Sequence, residues 1–350
     1  MKPIPPAQRR FPTGAQPGKP FLMRLKTDGQ LARRWVQGMF LLLCLWIGVE
    51  FALFMRWGAS QGQAAYVPHP PGAEGFLPIS ALLSLKFWLT TGEITAIHPA
   101  GLFIFVAILG IGLLLKKAFC SWLCPIGTLS EALWMLGAKA LGRSLRVPRW
   151  LDHPLRALKY LLLAFFALAT LRLDGPELAA FLASPFNVAA DLRLYLFFLH
   201  LSGFALGVIL VLALLSTVIQ NFWCRYLCPY GALLGALSLL SPFRITRAKA
   251  SCIDCGLCTK ACPSRIQVHQ AGRVASDECT ACFRCVEACP VKDTLEMRGP
   301  VGKAVPGWVF GLLVVGLFVA VTGMAILTGH WCNQVSRQDY LEVVQALSAR

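Results

Sequence analysis

The sequence predicts an all-α polytopic membrane protein of about five transmembrane helices, with a small cysteine-rich α+β domain inserted before the last helix. Three observations support this fold class. Only 14% of the 350 residues are charged and the mean hydropathy is +0.61, too apolar for an ordinary soluble domain. Apolar stretches long enough to cross a bilayer recur along the chain. Two cysteine runs of identical spacing lie together at residues 252–290.

Residues 1–34 form a basic, proline-rich arm that we expect to be disordered and cytoplasmic. Arg33 and Arg34 precede the apolar stretch 35–57, as in a twin-arginine signal. That stretch is too long for the apolar part of a signal and fits a spanning helix. We therefore interpret it as an uncleaved anchor.

Residues 35–240 are predicted to form a membrane region of four spans, at about 35–57, 98–115, 155–173 and 194–219. The apolar segment 76–89 is short and contains Pro78, so we expect it to be re-entrant or interfacial. A fifth span is predicted at 305–328, followed by a short periplasmic tail at 329–350. With the N-terminus inside, the segments rich in Lys and Arg remain cytoplasmic, as the positive-inside rule requires.

The second span is followed by Cys120-Ser-Trp-Leu-Cys124-Pro125 and then by a predicted amphipathic helix. Thr128 and Glu131 have the spacing of a capping box, which predicts that this helix starts near Thr128. Its basic continuation is typical of helices that lie in the headgroup region.

Residues 245–300 contain the motif C-x2-C-x2-C-x3-C-P twice. Bacterial ferredoxins use this spacing to hold two [4Fe–4S] clusters, and the fourth cysteine of each run binds the other cluster. The spacing therefore predicts a cytoplasmic 2[4Fe–4S] ferredoxin domain. Structural zinc is the alternative, but zinc has no use for a Cys-Pro at the end of each run. The predicted ligands are Cys252, Cys255, Cys258 and Cys289 for cluster 1, and Cys279, Cys282, Cys285 and Cys262 for cluster 2.

An internal repeat relates residues 119–136 to residues 223–240 without gaps. Both copies follow a span that runs from outside to inside, so they are parallel repeats related by an axis along the membrane normal. We expect their cysteine pairs to face each other beneath the ferredoxin domain. Four soft ligands suffice for a third cluster or a mononuclear metal; the alternative is a packing motif of buried cysteines. These cysteines are Cys120, Cys124, Cys224 and Cys228.

Three histidines, His98, His200 and His330, fall near the outer ends of predicted spans. A polar residue inside a span is a functional hypothesis by default, and a histidine pair could bind a haem. Interfacial histidines with ordinary hydrogen bonds are commoner, so haem or a bound quinone is the less favoured interpretation. Cys332 is interpreted as an incidental thiol and Cys44 as a core residue.

The two ferredoxin runs together with the two membrane C-x3-C-P motifs resemble the membrane polyferredoxins of the NapH, NosR and CcoG type. The resemblance covers about residues 82–290, and CSWLCPIGTLSE and CRYLCPYGALLG are most similar to the NosR-type core. It implies membrane-bound electron transfer through [4Fe–4S] clusters on the cytoplasmic side of the bacterial inner membrane. Unlike NosR-type proteins, the chain is expected to have no long periplasmic domain before the first span, and unlike CcoG-type proteins no sizeable domain after the last. Unlike the simplest NapH-type pattern, a fifth span is expected after the ferredoxin runs. The fold and cofactors are expected to carry over; the pathway is not.

The chain is therefore expected to be an electron-transfer component of an oxidoreductase system rather than a stand-alone enzyme. It would relay electrons between a cytoplasmic or quinone-pool donor and a membrane or periplasmic redox system, such as a periplasmic reductase or a flavoprotein. Two alternatives stay open, a copper-handling or maturation factor for a respiratory oxidase or reductase, and a redox sensor. The net charge of +16 reflects the positive-inside loops, and no nucleic-acid partner is expected. Basic residues near the cysteines should raise cluster potentials and dock acidic donors; they are Arg225, Arg244, Arg247 and Lys249.

Overall fold

The computed structural model describes residues 20–142, 145 and 147–348. Residues 1–19 of the predicted arm lie outside the described residues. The chain divides into two compact units. The first contains residues 1–41, 109–163 and 211–317, and the second contains residues 42–108, 164–210 and 318–350.

The described helices of the first half of the chain are α1 (Phe21–Thr27), α2 (Gly29–Ala59), a 3₁₀ helix (Pro71–Phe76), α3 (Pro78–Thr91), α4 (Pro99–Leu114), α5 (Phe119–Trp122), α6 (Pro125–Leu141) and α7 (Arg149–Leu171). Those of the second half are α8 (Gly175–Leu182), α9 (Pro185–Val188), α10 (Ala190–Leu199), α11 (Gly203–Val218), a π-helix (Trp223–Leu227), α12 (Pro229–Ser238), α13 (Leu257–Lys260), α14 (Arg284–Glu287), α15 (Gly307–Leu327) and α16 (Arg337–Ser348). The strands are β1 (Arg244–Arg247) and β2 (Leu295–Arg298).

Apolar helices lie at all five positions where spans were predicted. Among the described residues, α2, α7 and α15 are long and apolar enough to cross a membrane. Helix α4 has 16 residues, about 24 Å at 1.5 Å per residue, which is shorter than a hydrocarbon core of about 30 Å. The predicted count of about five is therefore approximate.

The fourth predicted span is not a continuous helix. Helices α10 and α11 are bent by 83° at the break between them. The break has a sequence cause, because Ser202 starts α11 as an N-cap, its Oγ accepting a hydrogen bond from the backbone N–H of Ala205 at 3.2 Å.

The predicted disorder of the arm is wrong for its last part. Helix α1 begins at Phe21, and α2 begins at Gly29, ahead of the apolar stretch. Asp28 caps α2, since its Oδ1 accepts hydrogen bonds from the backbone N–H groups of Gln30 (2.9 Å) and Leu31 (3.0 Å). Local capping and burial of Arg33 thus order a segment whose composition alone suggested disorder.

The inserted domain is α+β, as predicted. Strands β1 and β2 pair antiparallel, with Arg244 opposite Arg298 and Arg247 opposite Leu295. The cysteine loops lie between these strands in the chain, so the hairpin-like pair closes the domain. In the same unit, the fully buried Trp122 packs against Phe283 and Phe310.

The second unit has its own core and a buried polar network. Phe54 and Trp57 of α2 pack with Tyr340 and Val344 of α16, so the segment predicted as a short tail contains a packed helix. Beneath it His69 Nε2 lies 2.6 Å from Asp191 Oδ2. The side-chain amide of Asn333 donates to the Tyr340 hydroxyl at 2.8 Å. Helix α3 packs on α8 through Leu83, Leu178 and Leu182.

Candidate functional site

The eight cysteines of the ferredoxin runs line two small cavities, four in each. In both cavities the cysteine that precedes proline has left its own run and joined the other three-cysteine loop. One cavity is lined by Cys252, Cys255, Cys258 and Cys289. The other is lined by Cys262, Cys279, Cys282 and Cys285.

The two three-cysteine loops have the same backbone conformation. Asp254 and Gly256 have positive φ angles, and so do Ala281 and Phe283 at the equivalent positions of the second run. A left-handed residue two and four positions after the first cysteine turns each loop around its cavity. One-turn helices α13 and α14 then follow and carry the third cysteine of each run.

Burial makes these thiols poor acids in the absence of a bound metal. It raises the pKa of Cys262 to about 12 and raises the pKa of Cys285 well above its usual value. Only thiolates ligate iron, and ligand binding to a metal displaces the proton. Paired, buried thiols of this kind suit an iron–sulfur cluster, whose irons provide the compensating positive charge.

Two buried cationic nitrogens have no hydrogen-bond partner among the described residues and belong to side chains near a cysteine of one of the two runs. One is Nζ of Lys116 and the other is Nε of Arg247. The charge of Cys279 acts on Lys116, and Nη1 of Arg247 donates to Cys252 Sγ at 3.3 Å. Each cavity therefore has a cation beside one of its thiols. Arg247 also pairs with Asp254 at 3.3 Å, so its charge is partly balanced, whereas Lys116 has no ion-pair partner among the described residues. A buried charge without a partner is costly, and the anionic sulfurs of a cluster would offset it, so the residues present fit [4Fe–4S] clusters.

The two C-x3-C-P motifs share one local geometry. The backbone N–H of Cys124 donates to Phe119 O (2.9 Å), and that of Cys228 donates to Trp223 O (3.0 Å). Each of these cysteines then serves as the N-cap of the following helix, with Sγ accepting from the backbone N–H three residues on. Proline opens both helices, because its missing N–H is not needed there. The predicted capping box is wrong: Cys124 is the cap of α6, and Thr128 lies within the helix.

The four thiols lie near one another. The charges of Cys124 and Cys228 act on Cys120, and those of all three act on Cys224. Burial raises the pKa of Cys120 to about 12, while the nearby Lys117 opposes that rise. The structure therefore brings together the two pairs that the repeat predicted.

Both motifs contact segments that line the second ferredoxin cavity. Ser121 Oγ donates to Thr280 O at 2.6 Å, and Trp122 Nε1 donates to Ala281 O at 3.1 Å. From the other copy, Arg225 Nη1 donates to Ser264 O at 2.9 Å. The residues between the paired cysteines thus attach the repeat to the loop of Cys279 and Cys282, and to the Cys262 turn.

A partly open cavity lies at this junction. Cys120 and Cys224 line it on the membrane-repeat side and Cys282 on the ferredoxin side. Its other lining groups are mostly polar and include Lys117, Glu278 and Arg284. Cys120, Cys224 and Cys282 are half-buried, and part of the surface of each faces this cavity.

Ion pairs surround the junction. Glu278 accepts from Lys159 and from Arg156 Nε (3.2 Å), and Lys117 Nζ lies 4.0 Å from its other oxygen. Burial would raise the pKa of Glu278, but the charges of Lys117 and Lys159 hold it below the usual value. Of the four basic residues singled out in the sequence, Arg225 is paired with Asp152 and Arg247 touches Cys252. Arg244 donates to backbone oxygens, and Lys249 is exposed.

The three histidines near the ends of predicted spans, for which haem was the less favoured interpretation, have different surroundings. His98 is buried, its Nε2 lying 2.8 Å from Asn187 O and its Nδ1 3.6 Å from Glu74 Oε1. His200 and His330 are exposed. In the described part of the chain, no three His, Cys, Asp or Glu side chains converge as a single metal ion would require. This holds for the ferredoxin cysteines as well, because four ligands of a [4Fe–4S] cube lie farther apart than ligands of one metal ion.

Sequence reasoning missed the charged residues that join the parts of this site. Lys117, which follows the second predicted span, was given no role, and Glu131 was noted only as part of a capping box. Glu278 and Asp152 were not singled out. The one available signal was that acidic residues are few in a basic chain, and Glu278 directly precedes the first cysteine of a run.

Family models match the three parts of this site. The 4Fe-4S binding domain matches residues 97–144 and 199–247, so that each match contains one C-x3-C-P motif. The 4Fe-4S dicluster domain matches residues 244–290. The chain thus binds [4Fe–4S] clusters, as predicted. No solved structure matches the chain.

Curated relatives extend the similarity to nearly the full chain. The putative electron transport protein YccM of Escherichia coli is 44% identical over 318 residues, 89% of each chain. The regulatory protein NosR of Pseudomonas aeruginosa is 35% identical over 165 residues, 47% of this chain and 22% of NosR. The ferredoxin-type protein NapH of Haemophilus influenzae is 31% identical over 174 residues, 49% of this chain and 54% of NapH.

These similarities confirm the resemblance to NapH-type and NosR-type proteins that the cysteine motifs predicted. Because the match to YccM covers nearly all of both chains, the protein belongs to the family of membrane-bound, ferredoxin-type iron–sulfur electron-transport proteins that includes YccM.

Proposed function

We propose that the protein relays electrons between a cytoplasmic or quinone-pool donor and a membrane or periplasmic redox system. Two [4Fe–4S] clusters in the ferredoxin domain would accept and pass on single electrons, and a third centre would lie at the C-x3-C-P cysteines. The protein supplies ligation, burial and position, while the cofactors carry the electrons.

The observation that carries this proposal is the attachment of both membrane motifs to the two segments that line one ferredoxin cavity. The three hydrogen bonds from Ser121, Trp122 and Arg225 all reach the turns that bear the second set of cysteines. One cavity has Cys120, Cys224 and Cys282 in its lining. This arrangement supports a route with the order first cluster, second cluster, membrane-side centre.

We infer the ligands from the cavities. The first cluster would be held by Cys252, Cys255, Cys258 and Cys289, and the second by Cys262, Cys279, Cys282 and Cys285. The third centre would be held by Cys120, Cys124, Cys224 and Cys228. We propose a cluster rather than a single ion for these four. The match of a 4Fe-4S binding domain to both copies supports the same choice.

We propose a sidedness for the protein from the distribution of its charges. The positive-inside rule favours a cytoplasmic ferredoxin domain in the inner membrane of a bacterium and a periplasmic C-terminus. A reporter fused after Arg298 should therefore report the cytoplasm, and one fused after Arg350 the periplasm. A cytoplasmic signal from the second fusion would contradict the proposed number of spans.

The relay is tested by Cys120→Ser and Cys224→Ser in anaerobically purified protein. Wild type should contain about twelve irons per chain, four for each of three cubes, and each variant should lose about four of them. The paired EPR signal of the two ferredoxin clusters should persist, while electron flow to the membrane partner stops. Cys44→Ser is the matched control, because Cys44 lies on α2 outside the cysteine motifs.

Three outcomes would contradict parts of the proposal. Full iron and full electron flow in Cys120→Ser would make the four thiols packing residues. Eight irons in wild type would remove the third cluster. Wild type that contains copper in addition to eight irons would favour a copper-handling or maturation factor, since thiolates also suit Cu(I).

A further inference from the structure

One lysine lies among the four C-x3-C-P cysteines. Lys117 precedes Cys120 in the chain, and its side chain is 3% exposed. Its side chain reaches the second copy of the repeat, because a Cβ atom added to Gly231 would lie 3.5 Å from Lys117 Nζ. The charges of Cys120, Cys228 and Cys224 all act on it. The ammonium group is therefore placed at the thiols of both motifs.

The repeat makes this charge one-sided. Extending the ungapped alignment to the residue that stands three positions before the first cysteine places Lys117 opposite Asn221. The side chain of Asn221 is neutral, and its Oδ1 lies 3.5 Å from Ser130 Oγ. At this pair of equivalent positions, a single cation serves four cysteines.

Protein groups alone do not balance the charge of Lys117. Its one ion-pair partner among the described residues is Glu278, at the long distance of 4.0 Å. The other oxygen of Glu278 already accepts from Lys159 and Arg156. Three cations thus share this carboxylate, although Arg156 also reaches Asp277 at 3.5 Å. Burying a charge without compensation is costly. Besides Glu278 and Asp277, the thiolates that a bound cluster requires would supply negative charge beside Lys117.

We propose that Lys117 is the charge-compensating residue of the four-cysteine centre and raises its reduction potential. The inference rests on the proposed function for the presence of a cluster there. Reduction adds one electron to the centre, supplied by the neighbouring ferredoxin-held cluster, and no bond is made and no proton moves. A fixed positive charge a few ångströms away in a medium of low dielectric constant favours the more negative, reduced state. In this role Lys117 acts on the centre through its charge and does not ligate the metal.

The test is potentiometric titration of the full-length protein, monitored by EPR, with iron counted in each sample. Lys117→Met should shift the midpoint potential of the third centre to a lower value. Lys117→Arg keeps the positive charge, so its midpoint potential should lie close to that of wild type. Lys139→Met is the matched control, because Lys139 is exposed on α6; its midpoint should equal that of wild type. An unchanged midpoint in Lys117→Met with full iron would overturn the inference.

Loss of the third centre from Lys117→Met would leave no midpoint to measure, so a second variant is needed. Glu278→Gln removes the negative partner and should shift the midpoint of the third centre upward. No shift in Glu278→Gln, with the third centre present, would overturn the inference. A wild type that has eight irons and no third EPR signal would instead contradict the proposed function, which keeps the two failures distinct.

Discussion

Arg33 and Glu131 form a two-pronged ion pair. Arg33 Nη1 lies 2.6 Å from Glu131 Oε2, and Nη2 lies 2.6 Å from Oε1. The pair joins the start of α2 to α6, the helix that follows the first C-x3-C-P motif. Glu131 also accepts from Arg284 of the ferredoxin domain at 2.5 Å. The first arginine of the apparent twin-arginine signal therefore holds three separate parts of the chain together.

Arg33→Met should destabilise the protein markedly. Arg33 is 1% exposed, and removing one partner of a buried pair costs about 3–5 kcal/mol. The loss should fall at the lower end, because Arg284 still pairs with Glu131. The measurement is the midpoint of thermal unfolding in detergent. Arg34→Met is the control, since Arg34 is exposed and donates to Gln30 O at 3.4 Å; equal losses in the two variants would refute the role of the pair.

The same ion pair should make the stability depend on pH in the acid range. Burial would raise the pKa of Glu131, but the hydrogen bond and charge of Arg33, with Arg284, lower it from 4.5 to about 2. Because the pKa in the folded state is the lower one, the stabilisation is complete above pH 4.5 and is lost as the pH falls towards 2.

The unfolding midpoints of wild type and Glu131→Gln at a series of pH values test this. Their difference should be largest above pH 4.5 and should shrink as the pH falls from there towards 2. A constant difference over that range would mean that Glu131 does not carry the effect.

The two motif glycines should respond differently to alanine, although they are equivalent in the repeat. A Cβ at Gly127 would lie 2.1 Å from Cys120 O, whereas one at Gly231 would lie 3.3 Å from Cys224 O. Gly127→Ala must displace the backbone of a proposed ligand, and overpacking of this kind costs about 1–3 kcal/mol or more. Gly231→Ala needs only a small adjustment.

Iron content and the thermal midpoint of the two variants check this asymmetry. Gly127→Ala should lose iron and stability, and Gly231→Ala should keep both close to wild type. Gly207→Ala in α11 is the control, because a Cβ there meets no described atom within 4 Å. Equal behaviour of Gly127→Ala and Gly231→Ala would contradict the backbone geometry of the first motif.

The crossed ligation of the ferredoxin clusters can be read from which variants share a spectrum. Cys289 lines the cavity of Cys252, so Cys289→Ser and Cys252→Ser should leave the same residual EPR signal. Cys262→Ser should match Cys279→Ser instead. A match between Cys289→Ser and Cys279→Ser would mean that each run holds its own cluster.

The sequence by itself determined the cofactor chemistry and the membrane character of this protein. Cluster ligands are fixed by spacing over a few residues, and spans by runs of apolar residues, so both are local properties of the chain. Even the approach of Cys120 to Cys224 could be predicted, because a repeat in the sequence implies a symmetry in space. The ends of helices were less accessible: Cys124 took the cap that Thr128 was expected to provide, and a serine cap broke the fourth span.

Only the tertiary structure decided which ferredoxin loop meets the membrane motifs and which charges stand beside them. Trp122 donates a hydrogen bond to Ala281 O. Arg33 pairs with Glu131 and Lys117 with Glu278, and the partners in all three cases are far apart in the sequence. Such pairings depend on how buried charges are neutralised once the helices and loops have packed. Cysteine spacing and hydropathy do not predict these pairings, because in the sequence each partner is an ordinary charged or aromatic residue.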